Sequence, residues 1–324
     1  MLTPAVQLLH PQVRELVEQR GWKLTPVQEA ATADLVEGEN RILVAPTGSG
    51  KTEAAVLPIA SRALKEEWSS LSILYITPLR ALNRDIDRRL ANLLEPLGIS
   101  VGLRHGDTSQ KERTKQSKNP PNLLVTTPET AQIMLLGSRL RKHLAGVKAV
   151  ILDEVHDLAA SERGAQLLIG LERISALEGS SGRFQRVGLS ATVGNPEEVA
   201  NWMSDGAKPI FGPAPRTTKV TVHRETPTAE DDLLAGEWAI SPKSIAALRH
   251  LAQTLIEDSP SLVFVNSRST AETVAQRLAS IVPEIQVGVH HGSLAAETRR
   301  EMEEALRALS LIHISEPTRL YRIS

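Results

Sequence analysis

The stretch Ile42-Leu43-Val44-Ala45-Pro46-Thr47-Gly48-Ser49-Gly50-Lys51-Thr52 decides how this chain is read. Its apolar triplet predicts a short buried strand. A glycine-rich turn follows, and an Ala-rich helical pattern begins at Glu53. Strand, glycine turn and helix in that order wrap backbone N–H groups around phosphates. Thr47, Gly48, Ser49 and Gly50 form the cradle, the Lys51 ammonium reaches the outer phosphates, and the Thr52 hydroxyl reaches Mg²⁺. The helix that starts there adds the positive end of its dipole. The chain is therefore expected to bind a nucleoside triphosphate. The first turn position is Ala45, where the general pattern has glycine.

Working outward, short apolar runs recur at 42–44, 73–76, 123–125, 147–152 and 187–189, with helical patterns between them. Such runs separated by helices predict a buried parallel sheet. The fold class is α/β, doubly wound, with ligands at the carboxyl ends of the strands. Upstream, one amphipathic helix is predicted over 5–20 and a second over 26–36, stopped by Gly21 and Gly38. Prolines 209, 213, 215, 227 and 242 and the acidic run Glu230-Asp231-Asp232 mark a linker, with a connecting strand at 220–222. A second α/β pattern follows: helix 243–257, strand 262–265, helix 269–281, strand 285–289 and helix 294–308. The domains are read as 1–212, a linker 213–242, and an incomplete second domain 243–308 with uncovered apolar strand faces. Residues 309–324 resemble a translated transposase-end sequencing adapter and are set aside from the fold as a non-native tail.

The 324 residues suit about two domains. A net charge of −1 gives no global basic field, so any nucleic-acid site is a local stripe. The absence of cysteine excludes disulfides and thiolate metal sites. No signal-peptide pattern is present, and no apolar run approaches the ~20 residues that span a bilayer. A soluble, cytoplasmic protein with no membrane partner is expected.

A phosphate loop alone serves many chemistries, and the partner motifs narrow them. The strand Ala149-Val150-Ile151-Leu152 ends in Asp153-Glu154-Val155-His156. An aspartate at a strand end beside a phosphate loop can hold Mg²⁺, and the adjacent glutamate can deprotonate the attacking water. Ser190-Ala191-Thr192 closes the next apolar run, where hydroxyls can bond the Asp153–His156 turn. Leu24-Thr25-Pro26-Val27-Gln28 opens a helix before the loop, and a glutamine amide can pair with the N6 and N7 edge of adenine, which favours ATP. The basic positions Lys111, Arg113, Lys115 and Lys118 read as a solvated loop, and Trp22 and Trp202 as packing residues.

In this order, Gln28, Lys51, Asp153-Glu154-Val155-His156 and Ser190-Ala191-Thr192 resemble the DEAD/H-box class of superfamily 2 helicases. More narrowly, the chain is similar to the large helicase-related (Lhr) family. Further segments that carry the resemblance are Leu9-His10-Pro11, Gly21-Trp22, Thr77-Pro78-Leu79-Arg80-Ala81-Leu82, Thr126-Thr127-Pro128-Glu129, Arg163-Gly164-Ala165, Val263-Phe264-Val265-Asn266-Ser267-Arg268 and His290-His291-Gly292-Ser293-Leu294. The resemblance covers about 9–308. It implies two RecA-like domains, ATP and Mg²⁺ between them, and single-stranded or partly duplex nucleic acid crossing both. DNA, in repair or recombination, is favoured over RNA.

The resemblance assigns roles as follows. Lys51 contacts the β- and γ-phosphates, Thr52 and Asp153 hold Mg²⁺, and Glu154 is the catalytic base. His156, Ser190 and Thr192 couple nucleotide state to the strand. Thr77, Pro78, Arg80, His105, Gly106, Thr127 and Pro128 touch nucleic acid from the first domain. Asn266, Ser267, Arg268, His291 and Gly292 do so from the second. The family pattern continues past 308 into arginines that complete the ATP site. Such an arginine is worth about 10³–10⁵ in rate, so this chain is expected to bind ATP and strand but to hydrolyse weakly. A nucleotide-dependent clamp that binds strands without unwinding them, and an RNA-remodelling helicase, remain open, because phosphate contacts do not distinguish sugars.

Overall fold

In a computed structural model of the chain, the central apolar runs become strands because each is long enough to be buried on both faces. The structure describes residues 3–78, 83–191, 193–213, 220–257, 261–283, 286–291, 293–294, 297–298, 301–302, 305 and 312–315, with backbone only at 83–85, 262 and 312–315. The chain divides into two compact units, Met1–Thr217 and Thr218–Ser324.

The first unit is built on a seven-stranded sheet in the order β3-β4-β2-β5-β6-β1-β7, parallel throughout. The strands are β1 (Arg41–Val44), β2 (Ile73–Ile76), β3 (Val101–Arg104), β4 (Leu123–Thr126), β5 (Ala149–Leu152), β6 (Gln185–Ser190) and β7 (Lys208–Phe211). Alternate residues feed opposite faces. Leu43, Ile73, Tyr75, Leu123, Val125, Ile151, Val187 and Leu189 pack in one layer with helices α2 (Pro11–Gln19), α3 (Pro26–Val36), α4 (Lys51–Lys65) and α5 (Asn83–Leu94). Ile42, Val44, Leu74, Ile76, Leu124, Val150 and Leu152 pack in the other. That layer is covered by α7 (Pro128–Met134), α8 (Ser138–Leu144), α9 (Val155–Ala159), α10 (Glu162–Ser175) and α11 (Pro196–Met203). Each such aliphatic side chain contributes about 1.5–3 kcal/mol when fully buried, which is why these strands form the centre.

Two strands were not anticipated. β3 and β7 are the sheet edges, so their residues are only half-buried or exposed and carry no continuous apolar run. The helix predicted over 5–20 is two helices, α1 (Pro4–Leu8) and α2, because Pro11 lacks an N–H and its ring pushes the residue before it out of the helical region. Pro11 instead occupies the first turn of α2, with His10 as its cap. The basic positions 111–118 form a helix, α6 (Gln110–Lys118), capped by Ser109, rather than a loop. Trp202 packs against the core, whereas Trp22 is 39% exposed and lies under the Arg20 guanidinium.

The second unit begins in the stretch read as a linker. Residues 220–228 have no regular structure, with Val220 and Val222 exposed, so the connecting strand expected at 220–222 is absent. Helix α12 (Ala229–Trp238) then forms within the expected linker, because Thr228 and Asp231 make a reciprocal capping box. Asp231, only 1% exposed, also receives both arms of Arg249 on α13 (Pro242–Glu257). His223 stacks on His250 with ring centroids 4.4 Å apart, and Glu225 lies 3.3 Å from the same histidine, so the preceding coil is fastened to α13.

The sheet here is three-stranded and parallel, β8 (Leu262–Phe264), β10 (Ile312–Ser315) and β9 (Val287–His290), with β10 central. Residues set aside as a tail thus supply backbone pairing to both neighbours. Helix α14 (Arg268–Ile281) covers the sheet with α13, while Phe264 stays 60% exposed. Most of the predicted helix 294–308, and Ile285, lie outside the described residues. Among the described residues, no helix is long and apolar enough to cross a membrane.

Candidate nucleotide site and strand-facing loops

Parallel pairing brings the carboxyl ends of the strands to one edge. Val44 pairs with Ser190, Leu152 with Ile76, Ile76 with Thr126, and Thr126 with Arg104. The segments leaving that edge carry Ala45–Lys51, Thr77-Pro78, His105-Gly106, Thr127-Pro128 and Asp153-Glu154. Motifs far apart in sequence, from Ala45 to Glu154, therefore line one edge of one sheet, the side where open α/β sheets bind ligands.

The phosphate loop runs from Ala45 into α4, whose cap is Gly50 at φ 86°. A Cβ on Gly50 would stand 2.5 Å from Gln28 Nε2, so glycine is required both for the left-handed backbone and for the close approach of Gln28. Ala45, which replaces the usual glycine, is accommodated from the opposite side. Gly212, just past β7, is so close that a Cβ there would meet the Ala45 methyl at 2.5 Å. Gln28 is held at both ends of its amide: its oxygen accepts from Thr25 N–H at 2.8 Å and its nitrogen donates to the Gly50 carbonyl at 3.1 Å. In this state the amide braces the loop, and an adenine edge must displace one of these bonds to be read by it.

Lys51 donates to the carbonyls of Ala45 at 2.6 Å and Pro46 at 2.9 Å, across the mouth of the loop. Burial lowers its pKa, and Glu154 and Asp153 oppose that shift. The Ser49 hydroxyl is buried without a hydrogen-bond partner. A half-buried ammonium, an orphaned hydroxyl and the N–H groups of a helix start suit a phosphate group.

Asp153 follows β5 and is anchored by its N–H to the Ile76 carbonyl at 2.8 Å. Its carboxylate accepts from the Tyr75 hydroxyl at 2.7 Å and from Glu154 N–H at 3.0 Å. Burial nevertheless raises its pKa, as it does that of Glu154, where the neighbouring Asp153 adds to the effect. Two adjacent carboxylates whose ionised forms are disfavoured by burial fit a divalent cation. Glu154 itself sits in the left-handed region, φ 45° and ψ 46°, a conformation that costs a non-glycine residue about 1–3 kcal/mol. His156 Nδ1 lies 3.0 Å from Ser190 Oγ and 3.5 Å from Glu154, so the turn after β5 and the end of β6 are in direct contact.

The remaining loops at this edge are organised by arginines. Arg163 on α10 forms an ion pair with Glu129 at 2.6 Å and reaches the Pro78 carbonyl at 3.4 Å. It therefore joins Thr77-Pro78 to Thr127-Pro128-Glu129. Burial would push the Glu129 carboxyl up, but the bonds from Arg163 and its own first-turn backbone hold it below its ordinary value. Thr77 and Thr127 are buried, and Thr127 Oγ1 caps α7. His105 is buried too, and Arg113 donates to the carbonyls of His105, Gly106 and Thr108.

In the second unit, Asn266, Ser267 and Arg268 follow β8, and His291 follows β9. Arg268 donates to Ser293 at 2.6 Å, which brings the two loops together at the carboxyl edge of the smaller sheet. Ser267 caps α14, Asn266 is exposed, and buried His291 pairs with Glu272 at 3.0 Å while its Nδ1 has no hydrogen-bond partner. Arg80, Thr192 and Gly292 lie outside the described residues.

Sequence reasoning missed Tyr75, Gly212 and the bridging role of Arg163. For Tyr75 a signal existed: a phenol in the middle of an otherwise aliphatic strand must find a partner for its hydroxyl. For Gly212 and Arg163 the partners are far apart in sequence, and no local pattern announces them.

This edge, with the phosphate loop at one strand end and Asp153-Glu154 at another, can be compared with known proteins. The profile of the DEAD/DEAH box helicase family matches residues 25–199. The chain belongs to that family. Among relatives of this DEAD/DEAH box protein, the ATP-dependent helicase Lhr-Core of Methanothermobacter thermautotrophicus is 36% identical over 97% of this chain. The solved structure of Mycobacterium smegmatis helicase Lhr bound to ssDNA and AMP-PNP matches with a TM-score of 0.80 and 32% identity over 97% of this chain. The DEAD-box helicase Mss116 bound to ssRNA and UDP-BeF matches with a TM-score of 0.72 at 17% identity over 95% of this chain and 64% of that chain, a likeness of fold. The first unit has the RecA-like parallel-sheet fold. The chain spans 38% of the Lhr-Core relative and 42% of the Lhr structure.

Proposed function

We propose that this chain is the ATP-driven core of a nucleic-acid helicase whose strand is DNA. The observation that carries the reading is the convergence of Lys51, Asp153, Glu154 and the His156–Ser190 contact on one sheet edge, beside the loops at Thr77, His105 and Thr127. Lys51 exchanges its loop carbonyls for the β- and γ-phosphates. Thr52 and Asp153 hold Mg²⁺, which when bound neutralises charge on the phosphate oxygens. Glu154 takes the proton from the attacking water; burial raises its pKa and makes it a stronger base than a solvated carboxylate. His156 and Ser190 then register the state of the nucleotide. Thr77-Pro78 and Thr127-Pro128, tied by Arg163, hold the strand by its phosphates at helix starts, as Ser267 does in the second unit.

DNA is favoured because the relative solved with ssDNA is 32% identical, whereas the one solved with ssRNA is 17% identical and informs on fold alone. The test is equilibrium binding of a fluorescent ATP analogue with Mg²⁺, together with competition between single-stranded DNA and RNA of one length. Nucleotide binding abolished by Lys51→Ala, with DNA outcompeting RNA, is the expected result. Binding unaffected by Lys51→Ala overturns the site, and equal or better competition by RNA overturns the choice of strand.

A further inference from the structure

We propose that Tyr75 is a positioning residue for the divalent cation, holding the Asp153 carboxylate in the orientation that receives it. The proposal rests on the nucleotide reading above.

Tyr75 is the third residue of β2 and pairs in register with Ile151 of β5, two positions before Asp153. Its ring lies fully buried in the layer that α4 covers, among Leu43, Ile73, Ile151 and Leu189. Every one of those neighbours is aliphatic. A phenol in such a layer is costly unless its hydroxyl is bonded. Here the hydroxyl donates to Asp153 Oδ2 at 2.7 Å. One buried hydroxyl thus bonds the carboxylate assigned to Mg²⁺ at the end of β5.

The geometry leaves room for the cation. Asp153 Oδ1 accepts from Glu154 N–H at 3.0 Å and Oδ2 accepts from Tyr75. An ionised carboxylate has about four lone-pair sites, so each oxygen keeps one for the cation or its water. The two protein bonds fix the carboxylate plane without using it up. Removing the hydroxyl frees the carboxylate to turn, while the aliphatic layer remains filled by the ring. Partners of this outer kind are typically worth about 10–100-fold in metal affinity. Mg²⁺ keeps several waters and is held through few carboxylates, which places the expected effect near the lower figure, about tenfold.

The experiment is Tyr75→Phe in the whole chain, read as binding of a fluorescent ATP analogue across a Mg²⁺ titration and again in EDTA. A thermal melt establishes folding, and Asp153→Asn with the double variant completes a cycle. The expected result is an Mg²⁺ midpoint raised about tenfold, EDTA affinity within about twofold of the parent, and no further effect of Tyr75→Phe on the Asp153→Asn background. An unchanged midpoint overturns the proposal. So does an equal loss in EDTA, or an effect that persists without the Asp153 carboxylate. A parent chain that binds the nucleotide identically with and without Mg²⁺ overturns the nucleotide reading itself, a result distinguishable from the others because it precedes any substitution.

Discussion

Ser190 Oγ and His156 Nδ1 lie 3.0 Å apart, joining the end of β6 to the turn that carries Asp153 and Glu154. β6 pairs directly with β1, whose end is the phosphate loop, and the Ser190 carbonyl accepts from Ala45 N–H at 3.2 Å. Ser190 therefore contacts both halves of the nucleotide site, with its side chain on one and its backbone on the other. Ser190→Ala keeps the backbone contact and removes the hydroxyl. Nucleotide affinity should stay within about threefold of the parent, while the factor by which single-stranded DNA tightens nucleotide binding, typically about 5–150-fold in coupled sites, should fall below about threefold. Titrating nucleotide with and without DNA measures both numbers.

Gly50→Ala tests the loop. The substitution meets a left-handed backbone at φ 86° and a Gln28 nitrogen 2.5 Å from the new Cβ. Alanine at such a position destabilises by more than the ~1 kcal/mol it gains from chain entropy. A lower melting temperature and a loss of nucleotide binding of at least about tenfold are expected. Thermal melting and analogue binding on the same sample check both.

Arg163→Ala separates stability from function. The Arg163–Glu129 pair is more than a third exposed on both sides, so its removal should cost no more than about 1 kcal/mol in stability. Its loss unties Thr77-Pro78 from Thr127-Pro128, and affinity for single-stranded DNA should fall several-fold while nucleotide affinity without DNA holds. Fluorescence anisotropy of a labelled oligonucleotide reads the first, and analogue binding the second.

Asp231 gives the second unit a defined acid limit. The hydrogen bonds from Arg249 and Thr228 lower its carboxyl to about 2. A carboxyl depressed in the folded state contributes stability that is fully present above its ordinary value near 4 and is lost as pH falls toward the folded value. The contacts between α12 and α13 should therefore hold at pH 5 and weaken progressively from about pH 4 to about pH 2. Asp231→Asn should remove that dependence, as followed by Trp238 fluorescence.

The sequence made the central strands legible, because buried strands are apolar throughout, and it placed the glycine turn between a strand and a helix. Lys51, Asp153, Glu154 and the His156–Ser190 pairing stand where local patterns put them. The edge strands β3 and β7 were not legible, since a half-exposed strand needs no apolar run. Helix α12 was hidden by prolines and acidic residues that read as linker, although Thr228 and Asp231 spell a capping box once the helix is known. The Tyr75–Asp153 bond and the fit of Gly212 to Ala45 join residues 78 or more positions apart, and only folding brings them together.

The central claim is that nucleotide held by Lys51 and Asp153 is coupled to a DNA strand held at the same sheet edge. The most direct test measures the affinity of this chain for a single-stranded DNA oligonucleotide with and without a non-hydrolysable ATP analogue in Mg²⁺. The analogue should tighten DNA binding at least about fivefold, and this tightening should be absent in Lys51→Ala. Equal DNA affinity with and without the analogue, in a chain that binds both, would contradict it.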